Sequence, residues 1–118
     1  MLPSYQRFHT KGAVRRVLSG GRPVRGRNMM IRAIPGKSPA GRVAVIISKK
    51  VFKSAVKRNR VRRRIYNIVR HELCKHNSVS TDMVITVFSQ DVLVMEHALL
   101  QRELSYLVAS SIARDRRA

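Results

Sequence analysis

The chain has 118 residues, 44% of them hydrophobic, which suits one domain with a packed core and is too short for two. Lys and Arg number 25 against 6 Asp and Glu, a formal charge of +19, and a balance of that size points to a polyanionic partner. A single Cys excludes an intramolecular disulfide framework and fits a reducing cytoplasm, while no apolar run makes a membrane span or a signal-peptide core.

In chain order, Val14, Val17 and Leu18 recur at helical spacing and predict a short amphipathic helix ending at Gly20-Gly21. Val24 to Ile34 reads as extended, with Met29, Ile31 and Ala33 on one face and Met30, Arg32 and Ile34 on the other. The stretch from Pro35-Gly36 to Gly41 is a turn or loop. RVAVIIS, Arg42 to Ser48, is nearly continuous in apolar residues and predicts a buried central strand. Ser54 is placed to cap a long helix on which Val61, Ile65, Ile68, Val69 and Leu73 form the core arc. Asn59, Arg60, Arg63, Asn67 and Arg70 fall opposite that arc. MVITVF, Met83 to Phe88, predicts a strand parallel to Arg42–Ser48, because a helix joins the two. Met95 to Ile112 predicts a closing helix with Leu100, Leu104, Leu107, Val108 and Ser111 inward and Glu96 and Glu103 exposed. The tail from Arg114 reads as frayed. The order is α-β-β-α-β-α with room for one more short strand, an α+β sandwich with helices over a single sheet.

The charge is segregated. Residues 1 to 71 carry 20 basic side chains and no Asp or Glu, while residues 72 to 118 carry 5 basic and 6 acidic ones. Within Lys49 to Arg64, 9 of 16 residues are basic, and Arg suits bidentate phosphate contact. A solvated helix face would ordinarily place Glu partners at i+4, and residues 49 to 71 contain none.

The chemistry of a self-sufficient nuclease is missing. Metal-assisted phosphodiester cleavage needs clustered carboxylates, and Glu72, Asp82, Asp91, Glu96, Glu103 and Asp115 are scattered outside the basic stretch. Nothing in the sequence orients His9, His71, His76 or His97 as an acid–base pair. His71, Cys74 and His76 lack the fourth ligand of a tetrahedral zinc site, and no G-x-x-x-x-G-K phosphate loop is present. A 5% aromatic content argues against a broad base-stacking platform. The residues predict a binding protein with no metal or cofactor of its own.

Ser48-Lys49-Lys50, Ala55-Val56, Arg58-Asn59-Arg60 and Arg62-Arg63 follow in that order across the strand–helix junction. This cassette resembles the signature of the bacterial ribonuclease P protein subunit, and a weaker likeness covers nearly the whole chain, including Phe8 and Asp82. The resemblance implies one RNA-binding domain over 1–118, a mostly antiparallel sheet with a left-handed β-α-β crossover, and a cytoplasmic 1:1 complex with a catalytic RNA. In that family the RNA uses Mg2+ to remove the 5′ leader of precursor tRNA. The resemblance assigns Lys49, Lys50, Lys57, Arg58, Asn59, Arg60, Arg62 and Arg63 to the catalytic RNA, and Val14, Leu18, Arg27, Met29 and Arg32 to a leader-binding cleft. Departures from the family pattern are the non-aromatic cleft residues, one extra residue between Lys50 and Ala55, Phe52 at a small-residue position, Tyr66 where Arg is usual, and Ser89-Gln90 where a basic pair is common. A small basic ribosomal protein is the alternative on size and charge.

Overall fold

The computed structural model describes residues 11–35, 42–75 and 81–117. Its elements are α1 (Lys11–Gly20), β1 (Arg22–Arg25), β2 (Met29–Pro35), β3 (Arg42–Ile47), α2 (Ala55–Lys75), β4 (Thr81–Val87), a 3-10 turn (Gln90–Leu93) and α3 (His97–Arg117). The four strands form one sheet in the order β1-β2-β4-β3, antiparallel except where β3 and β4 run parallel. The parallel pair is the one that the intervening helix predicts.

The helices divide between the two faces. On one, Met29, Ile31, Val43, Val45, Met83 and Ile85 pack with Val61, Ile65 and Val69 of α2 and with Leu100, Leu104 and Leu107 of α3. On the other, a smaller cluster joins Val17 of α1 to Ala44 and Val84, flanked by Leu18, Ile34 and Ile46. Strand alternation decides which residues go where, since neighbours along a strand point to opposite faces.

Three expectations need correction. The extended stretch from Val24 is two strands: the chain folds back through Gly26-Arg27-Asn28, and Gly26 N donates to Met29 O at 2.8 Å. A Cβ at Gly26 would stand 3.0 Å from Glu103 Oε2 and from Leu107 Cδ1, so a larger residue there would make those side chains of α3 give way. Second, β3 is an edge strand and β4 is central. Its apolar run reflects cover on both faces of the sheet, which says nothing about neighbours within the sheet. Third, α3 keeps helical backbone as far as Arg117, beyond the start of the expected fraying.

The predicted caps of α1 and α2 and the inward face of α3 form. Ser54 Oγ accepts from Lys57 N at 3.3 Å and starts α2. Gly21 ends α1, donating to Val17 O at 2.8 Å, where a Cβ would press to 2.9 Å on the Ala33 and Val17 carbonyl oxygens. Leu100, Leu104, Leu107, Val108 and Ser111 are all buried as read. Phe8, His9 and His76, and the side chains of Val14, Leu73 and Cys74, lie outside the described residues.

Candidate nucleic-acid interface

The first surface begins where β3 ends. Lys49 and Lys50 are exposed in the turn after β3, followed by Lys53 and then Lys57, Asn59, Arg60 and Arg63 on the outer side of α2. Asn67 and Arg70 continue the exposed row by helical periodicity. Val56, 69% exposed, sits within the row and gives it one apolar contact, which charge counting did not single out.

Two arginines of the Ser48-to-Arg63 cassette are already engaged. Arg58 Nη1 donates to Phe52 O at 2.7 Å and to Lys53 O at 3.1 Å, so its guanidinium fastens the loop that carries the lysines. Arg62 Nη1 donates to Asn59 Oδ1 at 3.3 Å one turn back, which orients the amide of Asn59. Arg60 and Arg63 are the exposed guanidinium groups of the cassette. Arg64 serves the fold: it donates to Val92 O, Leu93 O and Met95 O at 2.6, 3.1 and 2.6 Å, closing the 3-10 turn onto α2.

Tyr66 has a different task from the phosphate contact that an Arg would make there. It is 9% exposed in the main core, and Val45 N donates to its hydroxyl. The acids are likewise occupied. Asp82, fully buried, pairs with Arg42 at 3.0 Å, and Glu72 accepts from Ser105 Oγ at 3.1 Å. Glu103, expected to be exposed, accepts from Asn28 N and Nδ2 at 3.1 and 2.9 Å and holds the β1–β2 turn. Among the described residues no group of three or more His, Cys, Asp or Glu stands close enough to hold a metal ion.

The second surface is the sheet face that α1 covers only in part. Met30, Arg32, Ile46 and Thr86 on it are partly exposed, whereas the opposite face is shut by α2 and α3. Leu18 borders this open strip, and Arg32 Nη1 donates to Leu18 O and Gly21 O at 3.2 and 3.3 Å, tying the end of α1 to β2. Arg27 is exposed at the hairpin tip, at the other end of β1 from α1. Met29 is the misplaced member of the predicted cleft. It is 0% exposed in the main core, because odd positions of β2 face α3.

Phe88 and Arg25 complete the strip, and neither was read as a site residue from the sequence. Val24 faces the main core, so Arg25 faces the open side, where its Cζ stands 4.5 Å from the centroid of the Phe88 ring. Phe88 N donates to Asn28 O at 3.2 Å, extending the β2–β4 pairing by one step. The sequence signal was present in part: Phe88 has the same parity as Thr86, opposite the buried Val87. Which face lay open required the position of α1.

The described residues form a four-stranded α+β domain with a basic helix on one flank and a half-open sheet face on the other, a charge distribution complementary to a polyanion. A family model described as Ribonuclease P matches residues 2–111, and the chain belongs to that family. The ribonuclease P protein component of Blochmanniella pennsylvanica (strain BPEN) is 36% identical over 66 residues, which is 56% of this chain and 56% of that protein. The one from Blochmanniella floridana is also 36% identical over 66 residues, 56% of this chain and 53% of that protein. The chain thus spans a little over half the length of the curated relatives it matches. In fold it is similar to the RNase P protein of Thermotoga maritima, with a TM-score of 0.77 at 14% identity, covering 88% of this chain and 96% of that one. The Staphylococcus aureus RNase P protein gives a TM-score of 0.69 at 21% identity, covering 91% of this chain and 97% of that one.

Proposed function

We propose that this chain is the protein component of ribonuclease P, assisting endonucleolytic removal of the 5′ leader from precursor tRNA in the cytoplasm. The observation that carries this reading is the coincidence of the family match with an exposed basic row from Lys49 to Arg70 that contains no carboxylate. In it, Lys49, Lys50, Lys57, Arg60 and Arg63 neutralise phosphates of the catalytic RNA, and Asn59, oriented by Arg62, adds a neutral donor and acceptor. Arg58 acts through the loop it fastens. The open strip by Leu18 and Arg32 takes the single-stranded leader, where an extended nucleotide chain can reach both the sheet and α1. The cleavage chemistry, with its Mg2+, belongs to the RNA, since the chain's acids are scattered and three of them are engaged in holding the fold. The complex would hold protein and RNA in a 1:1 ratio, as the family resemblance implies.

The test is reconstitution with a bacterial ribonuclease P RNA. RNA-free protein should leave precursor tRNA intact, and the mixture should cleave it at the 5′ end of the mature sequence. Arg60→Ala and Arg63→Ala should each weaken assembly and reduce the slope of log K against log salt by roughly 0.7 to 0.9. Cleavage by protein freed of RNA with micrococcal nuclease, or salt slopes that do not change, would refute this reading.

A further inference from the structure

We propose that Phe88 and Arg25 form the nucleobase platform of this cleft, taking one unpaired leader nucleotide by stacking. The inference rests on the leader-binding reading above and adds the residues that would recognise a base within it. The four described aromatic residues are distributed unequally. Phe52 and Tyr66 are buried in the main core and Tyr106 is exposed on α3. Phe88 alone among them stands on the open sheet face, and it is only partly buried. The predicted cleft positions Leu18 and Arg32 offer an aliphatic group and a guanidinium already donating to two carbonyls. Among the described residues, a base that seeks a π-face in this strip finds it at the far end, at Phe88.

The geometry suits such a ligand. Arg25 Cζ lies over the Phe88 ring at 4.5 Å from its centroid, within cation–π range, and Arg25 is exposed, so the charge beside the ring faces solvent. Guanidinium groups are weakly hydrated and stack on bases, so the exposed Arg25 adds a second stacking partner beside the ring. The platform is also anchored. Phe88 N is bonded to Asn28 O, and Asn28 is bonded through its backbone and side chain to Glu103. A preorganised surface spends less on ordering when a ligand arrives. Cations for the flanking phosphates stand nearby. The register pairs Ile47 with Val87, so Ser48 leaves the sheet beside Phe88 and leads directly into Lys49-Lys50.

The experiment uses the holoenzyme reconstituted with a bacterial ribonuclease P RNA. Equilibrium binding is measured for mature tRNA, for precursor tRNA with a short leader, and for precursors carrying one abasic site at each leader position in turn. With wild-type protein, one abasic position should cost roughly fivefold or more in affinity. Phe88→Leu should impose a loss of that order on the intact precursor, cancel the further effect of the same abasic site, and leave mature tRNA untouched. Arg25→Lys keeps the charge and loses the plane, so it should show the same pattern in weaker form. Phe88→Tyr keeps the ring and should bind as wild type, which separates loss of stacking from loss of fold. If Phe88→Leu and Arg25→Lys retain the full leader dependence, or weaken mature and precursor tRNA equally, the platform is overturned and the leader reading stands. If wild-type protein confers no preference for leader-bearing tRNA, both fall together.

Discussion

The backbone amide of Val45 donates to the hydroxyl of Tyr66 at 3.3 Å, joining the edge strand β3 to the helix that crosses it. Edge strands expose backbone groups that another chain can pair with, and a buried tyrosine supplying an acceptor there removes one of them. Tyr66→Phe keeps the ring in the core and deletes the acceptor. We expect a loss of about 1 kcal/mol, seen as a lower urea midpoint with an unchanged m-value, and RNA assembly as in wild type. An unchanged midpoint would remove Tyr66 from the account of β3.

Arg42 and Asp82 make the ion pair across the β3–β4 edge, but the partners are unequally placed: Asp82 is 0% exposed and Arg42 29%. Removing the cation leaves a carboxylate with no access to water, whereas removing the anion leaves a guanidinium that can rehydrate. Arg42→Met should therefore destabilise more than Asp82→Asn, by about 3 kcal/mol against about 1–2. Chemical denaturation of both variants checks the order, and a larger cost for Asp82→Asn would contradict it.

The basic stretch from Lys49 to Arg64 should separate into two kinds of arginine. Arg64 holds three carbonyls between Val92 and Met95, so Arg64→Met should cost about 2–3 kcal/mol in stability. Arg60 is exposed, so Arg60→Ala should stay within about 0.5 kcal/mol of wild type in stability and act on RNA affinity alone. Thermal unfolding of the free proteins, beside RNA binding at two salt concentrations, measures both. A stability loss at Arg60 equal to that at Arg64 would refute the division.

The sequence sets Arg60 in the row opposite the core arc and leaves Arg58 and Arg64 out of it, but what those two hold is not visible there. Periodicity placed Val61, Ile65, Ile68 and Val69 of the core arc of α2 and the opposite Arg/Asn row correctly, because a helix face depends only on spacing along one element. Partners that come from elsewhere in the chain left no local trace: the carbonyls beyond Val92 for Arg64, Asn28 for Glu103, and the end of α1 for Arg32. The same limit explains β3, whose composition reports burial above and below the sheet and not its place in strand order. It explains Met29 as well. The alternation along β2 was read correctly, but which face α1 would cover is a tertiary fact, and it turned Met29 inward and left Phe88 in the strip.

Segregated charge gives a last expectation, about the free protein. The first 71 residues hold 20 cations and no acid, and the fold itself engages Arg32, Arg42, Arg58 and Arg64 with carbonyls or with Asp82. The exposed lysines and arginines from Lys49 to Arg63 keep their mutual repulsion, which counts against the compact state at low salt. General screening relieves part of this with any electrolyte, so ionic strength must be held constant. A divalent oxyanion that bridges the cations of the native row, and finds no such array in the unfolded chain, stabilises further by mass action. Sulfate at about 100 times its dissociation constant would contribute about 2.7 kcal/mol. The thermal midpoint should therefore rise when sulfate replaces chloride at equal ionic strength. The double variant Arg60→Ala, Arg63→Ala should show a smaller rise, because two of the bridging cations are gone. A midpoint indifferent to the anion, or a rise of the same size in the double variant, would show that the row on α2 binds no anion in the free protein.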